Sequence, residues 1–163
     1  MSLHSKFKFW AFLPGVLLLP VTGLMAVIAM NVSDRPDMPR VGAYLFFVFF
    51  LFIWVWLVFG ELRTKIIKAA IDNTQITVSG FFGLGARKYY LLAQFDGFET
   101  ALLPSRYDTY EYLYLMKNGK KIVKLSQFYH SNYAELKSDL TNKIKNLGRK
   151  KLNLLQEIKE IFI

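Results

Sequence analysis

The chain has 163 residues, 53% of them hydrophobic, and its 21 Lys/Arg against 12 Asp/Glu give a net charge of +9. It contains no cysteine, which excludes disulfides, thiolate metal sites and cysteine nucleophiles. Only His4 and His130 could serve a zinc or haem site, so no metal and no cofactor is expected.

The hydrophobic residues are unevenly spread. Phe9 to Ser33 and Val41 to Gly60 carry no charge, and between them lies a short segment with Asp34, Arg35, Asp37 and Arg40. Trp10–Met30 is 21 residues long and Val41–Phe59 is 19. As helices, both are long enough to cross a hydrocarbon core of about 30 Å. Lipid leaves a spanning backbone no partner but itself, so both runs read as transmembrane helices forming a hairpin. Pro14 and Pro20 fall inside the first run and predict a kink. Trp10 suits an interfacial anchor, whereas Trp54 and Trp56 lie deeper, where that role fits less well.

Five positive residues flank the outer ends of the pair: Lys6, Lys8, Arg63, Lys65 and Lys68. Only Arg35 and Arg40 lie in the loop. That asymmetry puts both termini in the cytoplasm, with the loop outside. A cleaved signal peptide is the competing account, with Lys6 and Lys8 as its charged region and Val27-Ile28-Ala29 as its cleavage site. The apolar run is longer than the usual 7–15 residues or so of such a leader. No ionisable residue lies inside either run, so the helices read as an anchor rather than a channel or transporter.

From Glu61 onward the composition is that of a soluble domain carrying 17 of the 21 Lys/Arg and 10 of the 12 Asp/Glu. Glu61–Ala70 is open to a continued helix or, through Ile66, Ile67 and Ile71, a strand. Asp72-Asn73 is a turn signal. Gln75–Ser79, Arg87–Leu92 and Phe95–Leu103 read as strands, with Gly80–Gly85 a turn and Asp96-Gly97 a bulge or bend. Tyr110–Met116 and Lys121–Leu125 flank Asn118-Gly119, the dipeptide preferred in a type I′ hairpin. Asn132 is a predicted N-cap, with Glu135 in the capping-box position. Tyr133, Leu136, Leu140, Ile144 and Leu147 then form one apolar helical stripe. A second apolar pattern uses Leu154, Leu155, Ile158, Ile161 and Phe162.

The expected fold is therefore α+β. A transmembrane hairpin (1–60) precedes a small β-barrel or sandwich capped by an amphipathic helix (61–147), and a helical tail (148–163) follows. The order of strands and capping helix resembles the pleckstrin-homology-like (PH-like) fold. Tyr110–Ser126 followed by Phe128–Tyr133 is similar to a group of membrane-anchored PH-like proteins of Bacteroidetes-type bacteria. The resemblance implies a domain that binds lipids, proteins or copies of itself. Phosphoinositide-binding members carry basic residues around the first hairpin, and Ala70–Thr74 has none.

Lys117, Lys120, Lys121 and Lys124 cluster on the predicted hairpin, and Arg149, Lys150 and Lys151 follow the predicted helix. Each cluster is a candidate contact for anionic headgroups, at about 1 kcal/mol per residue near a membrane surface. Either cluster would equally serve as a solvated basic face. Gly80, Gly83 and Gly85 match neither a P-loop nor a dinucleotide fingerprint, and the GxxG at Gly80–Gly83 reads as a hairpin turn. Ser126, His130 and Asp139 are the residue types of a nucleophilic triad, but Ser126 lacks the elbow context. Tyr107, Tyr110, Tyr112 and Tyr114 read as strand and packing residues rather than a base-stacking stripe. The expected function is a non-enzymatic binding or scaffold module on the membrane, with an anionic-lipid sensor as the alternative. Its partners would be lipids and either another protein or a second copy, with no nucleic acid and a possible homo-oligomer.

Overall fold

The computed structural model of the protein describes residues 2–34, 40–104 and 109–151. A 3-10 turn (Phe9–Phe12) leads into α1 (Leu13–Asp34), and α2 (Arg40–Val55) continues as a π-helical stretch, Trp56–Leu62. Pro14 therefore falls in the first turn of α1, where its missing N–H costs nothing, and Pro20 lies within the helix. Both helices are long and apolar enough to cross a membrane. They expose the large apolar side chains of Val16, Leu19, Met30, Val41, Leu45, Phe46 and Phe52. Trp54 Nε1 donates to Thr22 Oγ1 at 3.2 Å, tying α2 to α1. That bond gives Trp54, one of the two deep tryptophans, a polar partner.

The described strands form two four-stranded sheets. The first runs β1 (Leu3–His4), β2 (Lys68–Ile71), β3 (Gln75–Ser79), β4 (Lys88–Leu91), antiparallel throughout. The second has the order β7 (Lys120–Ser126), β6 (Thr109–Lys117), β5 (Gly97–Pro104), β8 (Asn146–Lys151). β8 pairs parallel to β5. The α+β class is as expected, but there is no closed barrel among the described residues. The chain leaves β4 through a 3-10 turn at Leu92–Gln94 and starts a separate sheet, so the layers meet through side chains.

One core joins the layers. Ala69, Ile71, Ile76 and Val78 come from the first sheet, and Phe98, Leu113, Leu115, Val123 and Leu125 from the second. α3 (Tyr133–Lys143) adds Tyr133, Leu136 and Leu140, all buried, so its stripe covers the core as expected. Asn118 and Gly119 have φ of 51° and 70°, the left-handed pair that a type I′ turn requires.

The predicted helix is shorter than its stripe. Ile144 is extended (φ −138°, ψ 155°), and Leu147 lies in β8, across the expected boundary at 147. The open edge of β5 claims this segment: Phe98 N–H donates to the Lys145 carbonyl at 2.9 Å. Gly97 permits that approach with φ of 151°, since a side chain there would strike the Lys145 carbonyl. The apolar tail from Leu152 to Ile163 lies outside the described residues.

Candidate functional site

The most developed side-chain arrangement lies where the helices meet the domain. The segment before α1 belongs to the domain: β1 pairs with β2, and Phe7 bridges to His130. Ser5 N–H donates to the Ala69 carbonyl and Ala69 N–H to Ser5 Oγ, both at 2.8 Å. Lys8 N–H donates to the Tyr129 carbonyl, and Ser131 N–H to the Lys6 carbonyl, again at 2.8 Å.

Asn132 completes this seam and does not cap α3. Its Oδ1 accepts from Lys6 N–H and its Nδ2 donates to the His4 carbonyl, each at 2.8 Å. The side chain makes no bond to the first turn of α3. A carboxamide presents an N–H donor and a carbonyl acceptor side by side, which matches the His4 carbonyl and the Lys6 N–H of one extended segment.

Beneath the seam is an aromatic and apolar cluster of Ala11, Leu62, Ile66 and Tyr129, with Phe7, Leu18, Phe81, Phe82 and Phe128 packed against it. The Gly80–Gly85 turn serves this cluster. Phe81 and Phe82 both sit at positive φ (52° and 60°), an uncommon conformation for residues with side chains. It carries the Phe82 ring onto Phe12, stacked at 5.0 Å, and edge-on to Phe7 at 5.5 Å. The glycine-rich turn is thus a packing wedge between domain and helix. Glu61, at the end of the second apolar helix, pairs with Lys65 at 2.7 Å and accepts from the Tyr129 hydroxyl at 2.6 Å.

His130 is buried within this region. Its Nε2 lies 2.9 Å from the Ile67 carbonyl and its Nδ1 2.9 Å from the Ser126 carbonyl. Burial holds its pKa below the usual histidine value. The two carbonyls oppose that shift, and Lys8 adds to it. Ser126, His130 and Asp139 do not assemble as a triad: both ring nitrogens face backbone carbonyls, and Asp139 pairs with Lys143 at 2.7 Å.

The two basic clusters lie at different distances from this junction. Tyr110, at the start of β6, packs edge-on to Phe128 of the junction at 5.0 Å. Lys117 and Lys120 pair at the other end of the hairpin, seven residues further on, or about 23 Å at strand rise. There Lys117 Nζ donates to Gln94 Oε1 at 2.9 Å. Lys121 and Lys124 lie over the rings of Tyr114 and Tyr112, each at 4.2 Å, so these two lysines cover the aromatic outer face of the sheet. In β8, Arg149 is exposed, Lys150 pairs with Glu99 at 2.7 Å, and Lys151 is in register with Leu102, near the junction end of β5. Tyr107 lies outside the described residues.

The seam is the feature that pattern reading missed. β1 is two residues long, and Lys6 and Lys8 stand out as an orientation signal rather than as part of a strand. The only trace is the alternation of Leu3, Ser5 and Phe7. Comparison with family models, with curated proteins and with solved structures finds no match to this chain.

Proposed function

We propose that this chain is a non-enzymatic, membrane-anchored binding or scaffold module. In this reading its PH-like domain stands at the cytoplasmic face of a bacterial inner membrane, mounted on a two-helix transmembrane hairpin. The seam between residues 3–8 and the domain carries the proposal. β1 precedes α1 and β2 follows α2, so their pairing supports a reading in which both ends of the helix pair lie on one side of the membrane. A flexible tether would merely concentrate a domain at a surface. A domain stitched to both ends of its anchor is also held in one orientation, which suits a scaffold.

The partner surface in this reading is the β4 edge. β4 is the outer strand of the first sheet and leaves Tyr89 and Leu91 largely exposed, open to strand addition by a protein or a second copy. The test is crosslinking of the full-length protein in its native membrane, followed by affinity capture and mass spectrometry. A stoichiometric protein crosslink, or a self-crosslink, through β4 is expected, and Tyr89→Asp with Leu91→Asp should abolish it. Crosslinks to lipid alone would overturn the scaffold reading.

Lipid sensing stays as the second reading for one cluster, because Arg149–Lys151 lie toward the anchor end of the domain whereas Lys117–Lys121 lie away from it. In anionic nanodiscs that reading expects Lys150 to be shielded from amine labelling in a salt-reversible way, and Lys120 to label freely.

A further inference from the structure

The Gly80–Gly85 turn that wedges the domain against α1 also carries Leu84. This side chain is 89% exposed, the most exposed large hydrophobic among the described residues. The turn holds it out firmly. Gly83 and Gly85 N–H both donate to the Gly80 carbonyl, at 2.9 and 3.0 Å, and Leu84 N–H donates to the Phe81 carbonyl at 3.0 Å. The Ser79 hydroxyl donates to the Gly85 carbonyl at 2.6 Å. One exposed leucine is ordinary on a protein surface. The level at which this one sits along α1 is not.

The turn reaches well down the helix. Phe82 Cε2 lies 3.8 Å from the place a Cβ on Gly15 would take. Leu18 packs against the cluster that contains Phe81 and Phe82. The apolar span runs from Phe9 to Asn31, 23 residues. That is about 34 Å of helix, little more than a hydrocarbon core of about 30 Å. Gly15 and Leu18 stand about 9–13 Å along it, within the core of any bilayer the helix crosses. At this level α1 also exposes Leu13, Val16 and Leu17. Lipid that meets those side chains also meets the turn.

Building on the two-crossing mount proposed above, we propose that the Gly80–Gly85 turn is a third membrane contact, which inserts Leu84 among the lipid acyl chains. The charges around the turn suit that occupant. Gly83 leaves room for the Lys68 stem, whose Cδ would lie 2.7 Å from a Cβ there, and the Arg63 carbonyl would lie 3.1 Å from a Cβ at Gly80. Lys68 and Arg63 are both exposed, as is Arg87 just past the turn. An apolar tip backed by basic residues is the arrangement that anchors a surface element in an anionic interface. The domain thus grips the bilayer itself, and the inserted turn fixes its depth and tilt.

The absence of native cysteine makes a direct test available. Leu84→Cys, Val16→Cys and Lys120→Cys, made singly in the full-length chain, carry a nitroxide in nanodiscs of phosphatidylcholine and phosphatidylglycerol. Collision with oxygen, which concentrates among acyl chains, is compared with collision with a neutral water-soluble nickel chelate. The oxygen-to-nickel ratio at Leu84 is expected to exceed that at Lys120 severalfold and to approach that at Val16. A ratio at Leu84 equal to that at Lys120, with Val16 high, would overturn the insertion and leave the mount standing. A low ratio at Val16 as well would overturn the mount, and the insertion with it. Leu84 shielded from both reagents, with spin–spin broadening, would mean that a second copy covers the turn, and would also overturn the proposal. Lipid with a diazirine in its acyl chain is the independent readout on the cysteine-free chain. Light should crosslink it to Gly80–Gly85, and adducts confined to the two helices would count against insertion in the same way.

Discussion

His130 concentrates the chemistry of the junction in one side chain. It is 1% exposed and spans two backbone carbonyls, one from the segment leading into β2 and one from the end of β7. Its ring also lies against Phe7, at 5.4 Å between centroids. Burial lowers its folded-state pKa below 6.5, so the folded protein prefers neutral imidazole. The unfolded chain takes up the proton first as pH falls. The stability His130 contributes is therefore complete above about pH 6.5 and is lost as pH drops toward the folded pKa, at no more than about 1.4 kcal/mol per pH unit. Thermal unfolding of the detergent-solubilised protein between pH 7.5 and 5 should show this decline, and His130→Gln should flatten it. An unchanged slope in the variant would mean that other groups carry the pH response.

Elements with a strong local pattern were legible, and elements made by tertiary pairing were not. β3 falls at the expected residues because its β-branched alternation and its flanking turns agree. The β6–β7 hairpin follows from Asn118-Gly119, and the buried face of α3 follows from the spacing of Tyr133, Leu136 and Leu140. β1 and β8 carry no such signal. β8 reads Asn-Leu-Gly-Arg-Lys-Lys, with a positive φ at Gly148, and exists because β5 offers an edge. Likewise Asn132 has the sequence context of an N-cap, yet the arrival of residues 4–6 beside it diverts its amide. The weight of that diversion is testable. Asn132→Ala leaves the Lys6 N–H and the His4 carbonyl without its amide, a loss of about 1–3 kcal/mol. Hydrogen exchange should accelerate at residues 4–8 and the unfolding midpoint should fall, with α3 still formed. A variant that lost α3 instead would restore the capping role.

At the scale of the whole molecule, the composition separates two apolar runs from a basic remainder but does not reveal how firmly the two parts are joined. Two uncharged runs and a basic remainder would suit a loosely tethered domain equally well. The difference is made by contacts distant in sequence: Ser5 with Ala69, Phe12 with Phe82, Lys8 with Tyr129. If β1 remains paired with β2 in the membrane, residues before α1 and residues of α3 must face the same compartment. Ser2 and Ser138 are both exposed, and either can be changed to cysteine in a chain that has none of its own. A membrane-impermeant maleimide should label Ser2→Cys and Ser138→Cys together in inverted inner-membrane vesicles, and neither in right-side-out ones. Labelling from opposite sides would break the seam as a feature of the native protein. Removal of the N-terminal segment as a leader would delete the Ser2 site from the mature chain altogether, and with it β1, Phe7 and the stacking partner of Phe82. Loss of the Ser2→Cys signal with Ser138→Cys retained would thus identify cleavage, whereas joint labelling from the cytoplasmic side is the outcome expected of the proposed two-crossing mount.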